Sequence, residues 1–150
     1  MTGIHEDTLI ALDLETTGIN SKTDRIIEVG AVKFVGGEQV DTMSLLVNPQ
    51  RKLSSFIIGL TGITQADVDS APDWDDIRSE VAEFVSGIPI IGHNVGFDAS
   101  FLRSHDVKPD GLYDTMSMAE IALPAGPEYS LGRLSQRFGF LHDNPHRALS

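Results

Sequence analysis

The sequence predicts an α/β domain: a mixed sheet of three antiparallel strands plus parallel ones, flanked by helices. Three observations carry this. Residues 8–47 hold three extended runs divided by turn signals. From residue 74 onward, short apolar runs alternate with stretches of helical periodicity. The chain has 150 residues, enough for one well-buried core, and no repeat, low-complexity tract or linker divides it. Strands that come first as hairpins and later alternate with helices build a mixed sheet with helices packed on it.

The first strand is "LIALDLE", rich in aliphatics and followed by the loop signal "TTG". "RIIEVGAVKFV" and "EQVDTMSLLV" flank Gly36–Gly37 and read as a hairpin that completes a three-stranded antiparallel meander. "NPQRKLSS" is a loop, and "GLTGITQADVDSAP" holds a short helix between turns. Trp74, Ile77, Val81, Phe84 and Val85 follow helical spacing, with Asp73 placed as N-cap and Gly87 closing the helix. "IPIIG" is a short apolar strand, and "VGFDASFLRSH" is a helix with Phe97, Phe101 and Leu102 on one side. "LYDTMSMAEIAL" runs from strand into helix and stops at Pro124. "SLGRLSQRFG" is a helix between Ser130 and Gly139, with Leu131, Leu134 and Phe138 facing inward. "HDNPHRALS" turns at Pro145 and starts one more helix. Trp74, Phe84 and Phe138 are assigned to the core, and His5, His105 and His142 to the surface.

Composition narrows the function classes. There is no Cys, which removes disulfides and thiolate metal sites. No apolar run approaches the roughly 20 residues of a membrane span, and the N-terminus is not a signal peptide, so a cytoplasmic protein is expected. Lys plus Arg is 11 and Asp plus Glu is 22, a net charge of −11. That balance opposes broad electrostatic adhesion to nucleic acid or anionic lipid. It leaves room for an enzyme that grips a few nucleotides through metal ions.

The acids carry the chemistry. Strand alternation puts Asp13 and Glu15 on one face. Two unit charges about 4 Å apart repel by roughly 4 kcal/mol at an effective dielectric near 20, so a cation is expected between them. Asp98 stands at the start of a helix just after a strand, where a sheet-edge crevice collects ligands. His146 lies between a proline turn and a helix start. Hard oxygen ligands without Cys suit Mg²⁺ or Mn²⁺, and carboxylates beside a His point to metal-assisted hydrolysis.

"ALDLETTG" resembles the first motif of the DEDD exonucleases, a superfamily that includes the proofreading epsilon subunit of bacterial DNA polymerase III. "DRIIEVGAVK", "GLTGIT", "IIGHNVGFDASFL", "YDTMSMAE" and "YSLGRLSQRFGF…HRALS" follow in the family's order and spacing, so that the resemblance runs from Leu9 to Ser150. It implies a ribonuclease H-like fold and 3′→5′ exonuclease chemistry at two divalent cations, Mg²⁺ or Mn²⁺, about 3.5–4 Å apart. By the same resemblance Asp13 would bridge both metals, Glu15 would bind one, and Asp98 would serve the second largely through bound water. His146 matches the general base of the subclass that uses His (DEDDh). Thr16 and Thr17 match positions that meet the 3′-terminal nucleotide. Ile63 falls where an apolar side chain lies against terminal bases and is equally a core candidate, while Asn94 belongs to the same pocket. His93 and Asp114 read as structural. The implied substrate is the 3′ end of single-stranded or frayed DNA. The implied partner is a polymerase or a helicase in the same or another chain.

The family's third motif is His, four residues, then Asp. Here Arg147, Ala148, Leu149 and Ser150 follow His146, so residues 1–150 are expected to be an exonuclease domain cut within its C-terminal helix, with weakened metal binding. Two other readings compete: a 3′→5′ exoribonuclease, and a non-catalytic module that keeps the fold and holds a strand end or a protein. A metal-dependent phosphatase ranks last, because nothing resembles a nucleophilic Asp loop.

Overall fold

A computed structural model describes residues 8–123 and 128–140. Its spine is a five-stranded sheet in the order β3-β2-β1-β4-β5. The strands are β1 (Thr8–Thr16), β2 (Ile26–Val35), β3 (Glu38–Leu46), β4 (Ile90–Gly92) and β5 (Leu112–Asp114). β1, β2 and β3 pair antiparallel, whereas β4 runs parallel to β1 and β5 parallel to β4. The expected mixed sheet is therefore present. Gly36 and Gly37, with φ of 58° and 85°, make the two-residue turn between β2 and β3, where both positions need the left-handed region.

Six helices belong to the described residues: α1 (Ser55–Thr61), α2 (Gln65–Asp69), α3 (Trp74–Val85), α4 (Gly96–Ser104), α5 (Thr115–Ala122) and α6 (Leu131–Phe138). α2 is the short helix expected within residues 59–72, whereas α1 is unexpected: it starts at Ser55, the end of the stretch that reads as a loop, and only its last three residues enter that segment. Ser54 caps α1 through its hydroxyl, which accepts from the Ile57 N–H at 3.2 Å. Gly62 ends that helix at φ 72°, and Thr64 with Asp67 forms a capping box that starts α2. The sequence "TGIT" is thus the hinge between two helices. Asp73 sits at the N-cap of α3 as expected, and the Asp76 carboxylate accepts from its N–H at 3.2 Å.

The main core joins Ile10, Leu12 and Leu14 of β1 to Val81 and Val85 of α3 and to Ala99, Phe101 and Leu102 of α4. Trp74 and Phe84 pack against it partly buried, as the helical spacing requires. A second cluster forms from Ile27, Leu53, Ile57, Ile63 and Val68. α6 departs from expectation. Leu131 is 41% and Phe138 54% exposed, and Ser135 is the buried residue of that helix. Past the left-handed Gly139 the chain turns back, and the Phe140 N–H donates to the Ser135 carbonyl at 2.8 Å. The aromatic rings of Phe138 and Phe140 then lie beside each other on the surface, 6.1 Å apart.

β4 must come close to β1 to bring its following helix into place. Gly92 allows this: a Cβ there would stand 2.9 Å from the Leu12 carbonyl oxygen. The chain then turns through Asn94, a non-glycine residue at φ 60°, into α4.

Candidate active site

β1 alternates as its sequence requires. Leu12 and Leu14 point into the core, while Asp13 and Glu15 emerge on the other face. Opposite them on β2, Asp13 pairs with Gly30 and Glu15 with Glu28. The glycine leaves room beside Asp13, and Glu28 adds a third carboxylate to the same face. Glu28 is 4% exposed. Sequence reasoning used "DRIIEVGAVK" only as part of a pattern and gave Glu28 no role. Its signal was a lone acid inside an otherwise aliphatic strand.

Asp98 comes from the first turn of α4 and is 4% exposed. Its Oδ1 accepts the Leu14 N–H at 3.0 Å. Leu14 lies between Asp13 and Glu15, so one peptide group draws the helix acid to the strand that carries the other two. The electrostatics report this proximity. Burial, then the charge of Asp13, pushes the Asp98 carboxyl up to about 7. Surrounding protein, then the charge of Glu28, pushes Asp13 up to about 6. Asp13 keeps one side open to solvent, which softens the penalty on its charged form relative to the enclosed Asp98. Among the described residues no three His, Asp or Glu side chains converge tightly enough to hold a metal ion as they stand. The pair brought into mutual electrostatic range is Asp13 and Asp98, with Glu15 two residues along the same strand face.

The other predicted residues fall into three groups. Thr16 and Thr17 lie at the end of β1 beside the acids, with their hydroxyls engaged in the following loop. Thr16 donates to the Gly18 carbonyl at 2.6 Å, and the Thr17 hydroxyl accepts the Arg25 N–H at 3.0 Å. Asn94 is exposed, and its N–H donates to Asp114 Oδ1 at 2.9 Å. The same oxygen caps α5 through the Met116 N–H, so Asp114 has the structural part expected of it. His93 is also structural: its Nδ1 lies 3.1 Å from the Thr115 hydroxyl, which donates to the Gly92 carbonyl. Ile63 takes the core alternative of its two: it is 1% exposed within the second core cluster, where its side chain supports α1 and α2. His105 is corrected, because it is buried at 8% exposure. His146, like His5 and His142, lies outside the described residues.

The sheet order, the parallel β1–β4 pair and the carboxylates at the end of β1 define a ribonuclease H-like nuclease fold. The chain belongs to the RNase T family of exonucleases, whose pattern it matches over residues 10–150. It is 33% identical over 153 residues to the PolC-type DNA polymerase III of Bacillus subtilis, a match covering 97% of this chain and 11% of that one. It is 31% identical over 152 residues to the 3′-5′ exonuclease DinG of the same organism, covering 97% of this chain and 16% of that one. The chain thus spans between a tenth and a sixth of the length of these relatives. Among solved structures, exonuclease X in complex with 5′-overhanging duplex DNA matches with a TM-score of 0.76 and 28% identity, over 94% of this chain and 82% of that one. Escherichia coli exonuclease I with a dA16 oligonucleotide matches in fold, with a TM-score of 0.81 at 19% identity, over 96% of this chain and 38% of that one.

Proposed function

We propose that this chain is the catalytic domain of a metal-dependent 3′→5′ exonuclease that removes nucleoside monophosphates from single-stranded or frayed DNA 3′ ends. The observation that carries this is the bond from Leu14 N–H to Asp98, which gathers the helix acid around the strand acids Asp13 and Glu15. The donor chemistry fits divalent cations. The groups are all oxygen, and Asp13 and Asp98 hold their protons more tightly than ordinary carboxyls because of burial and neighbouring negative charge. Asp13, Glu15 and Asp98 are the residues that would hold two divalent cations, Mg²⁺ or Mn²⁺. Bound there, such ions supply Lewis-acid stabilisation and a nucleophilic hydroxide at neutral pH.

The protein's own residues do the rest. The Leu14 N–H holds the Asp98 carboxylate against the strand that carries Asp13 and Glu15. Glu28, buried and cross-strand from Glu15, adds negative charge that favours a cation over a vacant pair of acids. Thr16 and Thr17 set the strand end against which a 3′-terminal nucleotide rests, and the exposed Asn94 borders it from the β4–α4 turn. His146 would take the proton of the attacking water. Among the described residues no helix is long and apolar enough to cross a membrane. A cytoplasmic enzyme working beside a polymerase or helicase module fits relatives in which most of the length lies outside this domain.

The test is digestion of 3′-labelled and 5′-labelled DNA and RNA oligonucleotides with Mg²⁺ and with Mn²⁺. The 150-residue chain is assayed beside a form extended along its natural gene. Mononucleotides released from DNA 3′ ends support the proposal, and preferential RNA digestion reassigns the substrate. No cleavage by either form at saturating metal overturns the enzymatic reading.

A further inference from the structure

Asp98 reaches the strand acids from α4, so whatever aims α4 also aims that carboxylate. β4, which leads into α4, is only three residues long. Its pairing with β1 ends at Ala11–Ile91, whereas its pairing with β5 runs on to Gly92–Asp114. Past Ile91 the chain is therefore held from the β5 side, away from the strand that carries Asp13 and Glu15.

Two consecutive side chains make the hold, where β5 passes into α5. Asp114 Oδ1 accepts the Asn94 N–H and the Met116 N–H, each at 2.9 Å. The Thr115 hydroxyl donates to the Gly92 carbonyl at 3.2 Å. With its proton so committed, the same hydroxyl accepts from His93 Nδ1 at 3.1 Å. Gly92, His93 and Asn94 are thus each tied to Asp114 or Thr115. Inside this clamp Asn94 takes a φ of 60°, a left-handed conformation that a residue with a Cβ keeps where its surroundings dictate it. The Asn94 carbonyl accepts the Phe97 N–H at 3.0 Å, in the turn that opens α4. Asp98 is the next residue, and its Oδ1 meets the Leu14 N–H at 3.0 Å. Asn94 therefore has its N–H on Asp114 and its carbonyl on the helix turn that carries the site acid.

We propose that Asp114 is a positioning residue for the reaction: through Asn94 it sets the start of α4, and with it the place of the Asp98 carboxylate. Thr115 provides the second hold, through Gly92 and His93. As a statement about catalysis this rests on the exonuclease reading, but as a statement about where Asp98 sits it does not. Charge is the rival explanation. Burial, then Asp13 and, behind them, the charge of Asp114 raise the proton affinity of Asp98. Two substitutions part the explanations. Asp114→Asn removes the charge and keeps an oxygen for both N–H groups, whereas Asp114→Ala removes both.

The experiment is amide hydrogen exchange, followed by NMR on the 150-residue chain in metal-free buffer without DNA. Asp114→Ala is expected to speed exchange of the Leu14 and Phe97 amides about fivefold or more relative to those of Val29 and Ala31 in β2. Asp114→Asn should keep the parent's rates. Thr115→Val, which keeps the β-branched shape and loses the hydroxyl, should speed the same two amides by a smaller factor, and it carries the test if Asp114→Ala does not fold. Equal acceleration of all four amides is what a merely structural role produces, and it overturns the proposal. So does the absence of any acceleration, or the same effect in Asp114→Asn. Turnover supplies the second readout. In a form that digests DNA, Asp114→Ala should lower kcat about fivefold with KM for the oligonucleotide unchanged, and a change in KM alone overturns the catalytic role. A parent that digests nothing overturns the exonuclease reading, while the exchange rates still decide whether Asp114 places Asp98.

Discussion

Each acid at the end of β1 is defined by its neighbours. Asp13 has Gly30 across the sheet and Glu28 diagonally along it, and Asp98 has the Leu14 N–H. Asp13→Asn keeps shape and volume but is a poor ligand for a hard cation. It is expected to lower turnover by more than about a hundredfold, because a bound metal contributes several kcal/mol of transition-state stabilisation. The circular dichroism spectrum should remain that of the parent. Retained activity in Asp13→Asn would remove these carboxylates from the mechanism. The raised proton affinities make a second prediction. Burial and neighbouring charge lift Asp98 to about 7, above its unfolded value, so the folded state binds that proton more strongly. Its stabilising contribution is complete below about pH 4 and is lost as pH rises through 7. In metal-free buffer the parent should therefore lose melting temperature relative to Asp98→Asn between those limits, and divalent cations should restore it. Parallel curves for the two proteins would show that Asp98 titrates normally.

At the scale of elements, α4 joins core and site. Phe101 is fully buried three residues after Asp98, with its ring 5.0 Å from that of Phe97. Phe101→Ala should cost about 3–5 kcal/mol and loosen the helix that presents Asp98. Phe138→Ala on α6 should stay within about 0.5 kcal/mol, because that ring is largely in solvent. Urea unfolding of both variants checks the pair, and equal losses would place Phe138 in the core after all. Helical spacing located the apolar stripe of α6 correctly but said nothing about cover. A stripe of Leu131, Leu134 and Phe138 is a necessary feature of a buried helix face and not a sufficient one. For α3 the same spacing was enough, since the sheet lies directly beneath Ile77, Val81 and Val85.

The whole molecule carries a charge of −11, yet the proposed substrate is a polyanion. Contacts with nucleic acid are therefore expected to be few and confined to the strand end. The logarithm of single-strand affinity should fall against the logarithm of salt concentration with a slope of only about −0.7 for each phosphate held. Two or three contacts give about −1.4 to −2.1. A steep slope, measured by fluorescence anisotropy with Asp13→Asn and a labelled oligonucleotide, would reveal a basic track that the composition does not suggest.

Local rules carried much of this protein in the one-dimensional chain. Alternation put Asp13 and Glu15 on one face of β1, two glycines marked the β2–β3 turn, and Asp73 marked the start of α3, because periods, turns and caps depend on residues a few positions apart. Motif order also reached the exonuclease family. Tertiary structure decided what depends on distant partners. It seated Asp98 on the Leu14 N–H across 84 positions of sequence, set Glu28 beside Glu15, and buried Ile63 and His105 where no local pattern required it. The physical reason is that burial and pairing belong to the neighbour as much as to the residue. A carboxylate, an isoleucine or an imidazole reads the same in sequence whether it meets water, a base or a packed core.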